Sequence, residues 1–268
     1  MQWFRMALLL SLASAGCDKR RAGAHDQNTP PHAARDLTGR HGDPASQDRA
    51  TRSGHDERWR APAELRPEVP IAEIADSALC VTKGKLARSS IVAPTFRAVA
   101  LSNRGDAMQL KMIVREATEK RALASGQIRR QVGLKLHAAD ACNVVYVMWR
   151  LDPTPMLEVS TKINLGQRNT RECGTAGYTK VKPIYTAALP ELLDGKPHTL
   201  RAEIFGDALT VWVDDTVAWG GALPPAATEL SGPGGLRSDN LEVEILGLAA
   251  DERGGGKAFA TCTDQHSD

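Results

Sequence analysis

Between His198 and Leu248 the residues alternate in polarity in a way that only an extended chain can use. Leu200, Ala202 and Ile204 share one side of the first run, and Arg201, Glu203 and Phe205 the other. Leu209, Val211 and Val213 repeat the pattern against Thr210, Trp212 and Asp214. Leu241, Val243 and Ile245 repeat it against Glu242 and Glu244. A helix would scatter each apolar set around its circumference. A strand gathers each set on one face, and that face has to be covered. Gly206-Asp207 supplies a tight turn between the first two runs, and a Gly/Pro-rich excursion separates the second from the third.

The same period continues upstream. Val81 to Leu86, with Gly84 in a turn, suits a hairpin-like start, and Phe96 to Leu101 reads as a short strand. Met108, Leu110, Met112 and Val114 alternate with polar neighbours, as do Val132, Leu134 and Leu136. Asn143 to Arg150 is a strong strand, with Val145, Val147 and Trp149 on one side. Leu157, Val159 and Thr161 form another. Tyr178 to Thr186 reads as one strand in which Pro183 marks an edge or a bulge. Residues 116–126 have helix-forming composition without an apolar stripe and read as a loop, and residues 164–177 as a long polar loop. About ten or eleven strands with essentially no helix predict an all-β fold: an antiparallel two-sheet β-sandwich of jelly-roll type over residues 71–250.

The first quarter of the chain does not share this pattern. Met1 to Cys17 has Arg5 as a short positive region and an apolar run from Met6 to Leu12 that is too short to span a bilayer, which is the build of a signal peptide. Two processing outcomes stay open. Ala13-Ser14-Ala15 permits ordinary cleavage before Gly16, giving a secreted protein. Ser14-Ala15-Gly16-Cys17 resembles a bacterial lipobox, with Ser14 where Leu is usual, and would place a lipid on Cys17 and anchor the chain to a bacterial membrane in the cell envelope. Residues 18–70 are polar, without apolar period, and read as a tether unable to bury enough surface to order itself. His25, His32, His41 and His55 are irregularly spaced there and read as solvated linker residues rather than a metal-binding tract. Residues 251–268 read as a flexible tail.

Five cysteines favour the lipid outcome, because lipidating Cys17 leaves an even number for an oxidising compartment. Four cysteines allow three pairings. Cys80–Cys262, tying the domain ends, and Cys142–Cys173, stapling a loop, are the favoured pair. No C-x-x-C occurs, which argues against structural zinc. A formal net charge of +2 gives no reason to invoke nucleic acid, and no phosphate-binding loop, Ser/His/Asp arrangement or nucleic-acid module is present.

The order NVVYVMWRLD, LEVSTK, HTLRAEIFGDALTVWVDD and GPGGLRSDNLEVEILGL resembles the concanavalin A-like lectin/glucanase superfamily, including laminin-G-like domains, over roughly residues 79–250. The segment Gly234-Gly235-Leu236-Arg237-Ser238-Asp239-Asn240 is similar to the glycine-rich approach to the last core strand in that family. The resemblance implies a sandwich and, on the wet face of one sheet, a sugar site. The family's glucanases carry E-x-D-x-E on one strand; this chain has only Glu242-Val243-Glu244, so Glu203, Glu242 and Glu244 are weak catalytic suspects.

Tyr146, Met148, Arg150, Arg201, Glu203, Trp212 and Asp214 all lie opposite the apolar stripes of their strands and are the expected ligand-binding groove. Calcium is possible, with Asp140, Asn143, Asp239 and Asn240 as weak candidate ligands that are equally ordinary turn residues. His137, near Asp140, reads as a solvated strand-end residue rather than half of a proton-transfer pair. The expected function is noncatalytic recognition of a glycan or another cell-envelope polymer. The alternatives are a glycoside hydrolase or lyase with an atypical carboxylate site, and a structural envelope protein without a small ligand.

Overall fold

The structure is a computed structural model describing residues 79–100, 103–117, 119–152 and 154–251. The signal segment with Cys17, the tether with its histidines, residues 71–78, Cys262 and the tail from residue 252 lie outside the described residues.

Chain order runs β1 (Leu79–Lys83), β2 (Leu86–Ala87), β3 (Ser90–Ile91), β4 (Thr95–Ala100), β5 (Ala107–Glu116), β6 (Gln131–Leu136), β7 (Val144–Arg150) and β8 (Met156–Lys162). It continues through α1 (Thr170–Cys173), β9 (Tyr178–Lys180), β10 (Tyr185–Thr186), β11 (His198–Phe205), β12 (Ala208–Val213) and β13 (Thr216–Ala222). The last elements are α2 (Pro225–Thr228), β14 (Gly235–Asp239) and β15 (Leu241–Ala250). These strands build two antiparallel sheets, one ordered β1-β4-β14-β6-β7-β8-β9 and the other β10-β13-β12-β11-β5-β15-β3-β2.

Alternation decides what lies between the sheets. From the first sheet come Phe96, Leu134, Val147, Trp149 and Val159; from the second come Leu110, Met112, Leu200, Val211 and Val243, all packed into one core. Leu200, Ala202, Leu209, Val211, Leu241 and Val243 are buried as the sequence pattern requires. Burying side chains of this size stabilises the sandwich by roughly 1.5–3 kcal/mol each before ordering entropy is subtracted. The β11–β12 hairpin pairs Phe205 with Ala208, so the turn is Gly206-Asp207, and Gly206 carries a positive φ of 62°.

Four local expectations change. The hairpin-like start at Val81 to Leu86 is split between the sheets, because β1 pairs with β4 in the first and β2 with β3 in the second. The Gly/Pro-rich excursion hides β13, which pairs with β12 through the two-residue turn Asp214-Asp215, both at positive φ. A Cβ at Gly221 of β13 would sit 2.5 Å from the Trp219 ring, so the glycine there makes room for a core tryptophan rather than for a turn. The run Tyr178 to Thr186 is not one strand. β9 pairs with β8 in the first sheet and β10 with β13 in the second, and the chain crosses between sheets around Pro183, where a strand-interior amide would be missing. The polar loop after β8 contains α1, with Asn169 and Glu172 forming a capping box.

Cys142 and Cys173 are bonded to each other across 31 residues, pinning that loop to the start of β7. Closing a loop of that length is worth about 3–4 kcal/mol in chain-entropy terms. Cys80 is also in a disulfide; Cys262, its expected partner, is outside the described residues.

Candidate functional site

The ladders settle which face each expected site residue occupies. Along β7, Tyr146, Met148 and Arg150 alternate with the core residues Val145, Val147 and Trp149, so they lie on the outer face of the first sheet. Arg201 and Glu203 of β11 are paired with Trp212 and Thr210 of β12, opposite Leu200, Ala202 and Val211, so they lie on the outer face of the second sheet. The expected single groove is therefore two surfaces on opposite sides of the sandwich.

On the second sheet, Trp212 is only 5% exposed, with the Arg201 guanidinium 5.2 Å over its ring. Arg201 also pairs with the buried Glu203 at 3.5 Å. Asp214 sits in the β12–β13 turn at φ 48°. Its carboxylate accepts from the Thr199 amide at 2.8 Å and meets His198 Nδ1 at 2.8 Å, while Asp194 meets His198 Nε2 at 3.1 Å. Asp214 thus clamps a turn and a histidine.

Burial opposes charge on the His198 ring, but the bonds to Asp214 and Asp194 outweigh it and raise its pKa above 6.5. A raised folded value stabilises fully below the unfolded pKa of about 6.5 and is lost as pH rises through the folded one. The midpoint of thermal unfolding is therefore expected to fall as pH climbs from 6.5 toward the alkaline side. His198→Gln should flatten that limb, and an unchanged slope in the variant would show that His198 does not set it.

The carboxylate suspects do not converge as one site. Glu203 stands opposite Ala107 of β5, whereas Glu244 stands opposite Ile113 and Glu242 opposite Arg115. Ala107 and Ile113 are six positions apart along β5, or roughly 20 Å, well beyond the separation of a glycosidic carboxylate pair. Glu242 and Glu244 remain together on the outer face of β15.

The calcium candidates separate as well. Asp140 accepts from the Cys142 amide and Asn143 Nδ2, closing the turn before β7. Asn240 is spent on Arg121 and on the Arg129 carbonyl, and Asp239 on Arg97 and Arg237. Among the described residues no group of three or more His, Cys, Asp or Glu side chains converges on a metal position. His137 is buried rather than solvated, with Nε2 2.7 Å from Asp106 and not on Asp140.

The outer face of the first sheet is different in kind. The Tyr146 and Tyr178 rings stack at 6.0 Å with an interplanar angle of 22°. Lys162 lies 5.4 Å from the Tyr178 centroid, and Arg237 lies 4.8 Å from that of Tyr146. β7–β8–β9 pairing brings them together, since Tyr146 is opposite Ser160, and Lys162 is opposite Tyr178. Tyr146 and Arg150 are buried, but Tyr178 is 46% exposed and Lys180 projects beside it.

Glu158 of β8 is held by Arg150, by Arg129 at 3.1 Å and by Lys180 at 2.8 Å. Burial would raise its pKa, but these cations lower it, so Glu158 stays charged and is no proton donor near neutrality. Next to this cluster, where the chain crosses between sheets, a cavity of about 460 Å³ opens, lined by Met156, Glu158, Lys180, Val181, Leu189 and Trp219 among others. Its size falls in the range of about 300–1,000 Å³ that small-ligand pockets occupy.

No protein-family model matches this sequence, and no curated protein matches it. Among solved structures the chain is similar to the carbohydrate-binding module CBM66 from Bacillus subtilis, with 11% identity and a TM-score of 0.46 over 64% of this chain and 94% of that one. It is also similar to a tetrameric galectin from the ball sponge Cinachyrella sp., with 12% identity and a TM-score of 0.34 over 55% of this chain and 92% of that one. A third similar structure is the Crh5 transglycosylase in complex with NAG, with 11% identity and a TM-score of 0.41 over 75% of this chain and 89% of that one.

Tyr178, Lys180 and Lys162 were not among the expected site residues. Tyr178 and Lys180 alternate in the sequence, but only the β8–β9 register carries them onto the face of Tyr146.

Proposed function

We propose that the chain is a noncatalytic glycan-binding protein of the bacterial cell envelope, exported and held to a membrane through a lipid on Cys17. The observation that carries the binding reading is the Tyr146–Tyr178 stack, with one ring buried and the other 46% exposed beside Lys180. A half-open ring fixed in orientation by a buried one suits stacking on the apolar face of a sugar, and lysine nitrogens suit its hydroxyls. Export and lipidation rest on the Met1–Cys17 segment and the odd cysteine count.

The test is a glycan array followed by polysaccharide pull-down with the full chain, with and without calcium. Tyr178→Ala is expected to weaken binding to any bound glycan by about tenfold, the worth of one stacking ring, with the unfolding midpoint little changed because the ring lies at the sheet edge. Absence of binding to every glycan, or binding untouched by Tyr178→Ala, would count against this reading. Labelling of the full chain, but not of Cys17→Ala, by a radiolabelled fatty acid in a bacterial host tests the anchor.

The buried state of Trp212 favours a structural role for the opposite sheet face.

A further inference from the structure

Charge on the first sheet's outer face is strongly unbalanced. The chain as a whole is close to neutral, with 34 Lys and Arg against 32 Asp and Glu. On this face, Arg97 and Arg237 share the single carboxylate of Asp239 at 2.8 and 3.0 Å, and Arg150, Arg129 and Lys180 share the single carboxylate of Glu158. Lys162 donates to the Ala141 carbonyl at 3.0 Å and lies against the Tyr178 ring, so among the described residues it meets no carboxylate. Among the described residues, the four cations around β8 and β9 (Arg150, Arg129, Lys180 and Lys162) therefore face one carboxylate, and Arg150 and Lys162 are buried, where water screens them least. The excess is greatest around β8 and β9, beside the exposed Tyr178 ring.

We propose that this surface selects a polyanionic glycan, one bearing uronate carboxylates or sulfate esters, over its neutral counterpart. The proposal rests on the glycan-binding reading above. Tyr178 would carry the sugar ring, Lys180 would contact the anionic group, and Lys162 and the arginines beneath would supply a fixed positive field. Lys180 is the group able to make the contact because its side chain is 68% exposed. Glu158 keeps Arg150 and Arg129 if Lys180 is neutralised, so Lys180→Gln leaves no buried charge unpaired.

Titrating the full chain with polygalacturonate and with its fully methyl-esterified form, and with a sulfated galactan and its desulfated form, separates the two anion sources. The acidic form of at least one pair is expected to bind about tenfold or more tighter than the neutral form. The difference should shrink at high salt. In Lys180→Gln most of the preference should vanish while the unfolding transition stays in place. Equal affinity for acidic and neutral forms overturns this proposal and leaves the glycan-binding reading standing. A preference that survives Lys180→Gln, or polyglutamate binding as tightly as the acidic glycans, also overturns it. Absence of binding to all four polymers overturns it too, and together with a blank glycan array it removes the glycan-binding reading as well.

Discussion

Replacing Asp239 with alanine is expected to destabilise the sandwich by about 3–5 kcal/mol, the cost of removing one partner from a buried ion pair. The side chain is fully buried, and Arg97, Arg237 and Gln131 all donate to its two oxygens. Burial alone would raise its pKa, yet Arg237 and Arg97 hold it at about 2. Without the carboxylate, two guanidiniums on β4 and β14 lose the negative charge they share. Asp239→Asn should fall between wild type and alanine, since it keeps one acceptor but no charge. The depressed value also fixes the sign of the acid response. This contribution is complete above the unfolded pKa of about 3.9 and is lost as pH falls through about 2. Urea melts at neutral pH and near pH 2 test both parts. Asp239→Ala with a near wild-type midpoint at neutral pH would mean that the arginines find other partners.

The second large effect belongs to Trp149→Ala, expected to cost about 3–5 kcal/mol through the cavity it leaves. Trp149 is 1% exposed, lies on the inner face of β7, and meets the His198 ring edge-on at 5.5 Å. The loss should therefore reach further than packing. His198 would lose the wall that holds it between Asp194 and Asp214, so the alkaline limb of stability should also become shallower. Trp149→Phe should recover most of the midpoint. A small loss for Trp149→Ala would show that the neighbouring strands collapse into the space.

How much was legible in advance follows from what alternation encodes. A period of two says which side chains of a strand turn inward, and Leu200, Val211, Val243, Val147 and Trp149 are all in the core. It does not say to which sheet the strand belongs. Trp212 and Tyr146 both stand opposite an apolar stripe and look equivalent in the sequence, yet the ladders put them on opposite sides of the molecule.

Register was the missing quantity for Tyr178 as well, because a three-residue strand carries too little pattern to announce its partner. β13 escaped for a different reason. Gly220 and Gly221 look like turn residues, and the Asp214-Asp215 turn ahead of them uses positive φ at two residues less suited to it than Asn-Gly. The second of those glycines answers to the bulk of Trp219, which no local propensity reveals.

The segment that crosses from β9 to β10 borders both sheets on the same side of the molecule. Its short strands, interrupted by Pro183 and carrying Lys180 and Lys182, are poor templates for recruiting a neighbour's backbone. An unguarded edge there would let the backbone of one copy pair with that of the next without limit, and this strap blunts that route to fibre growth.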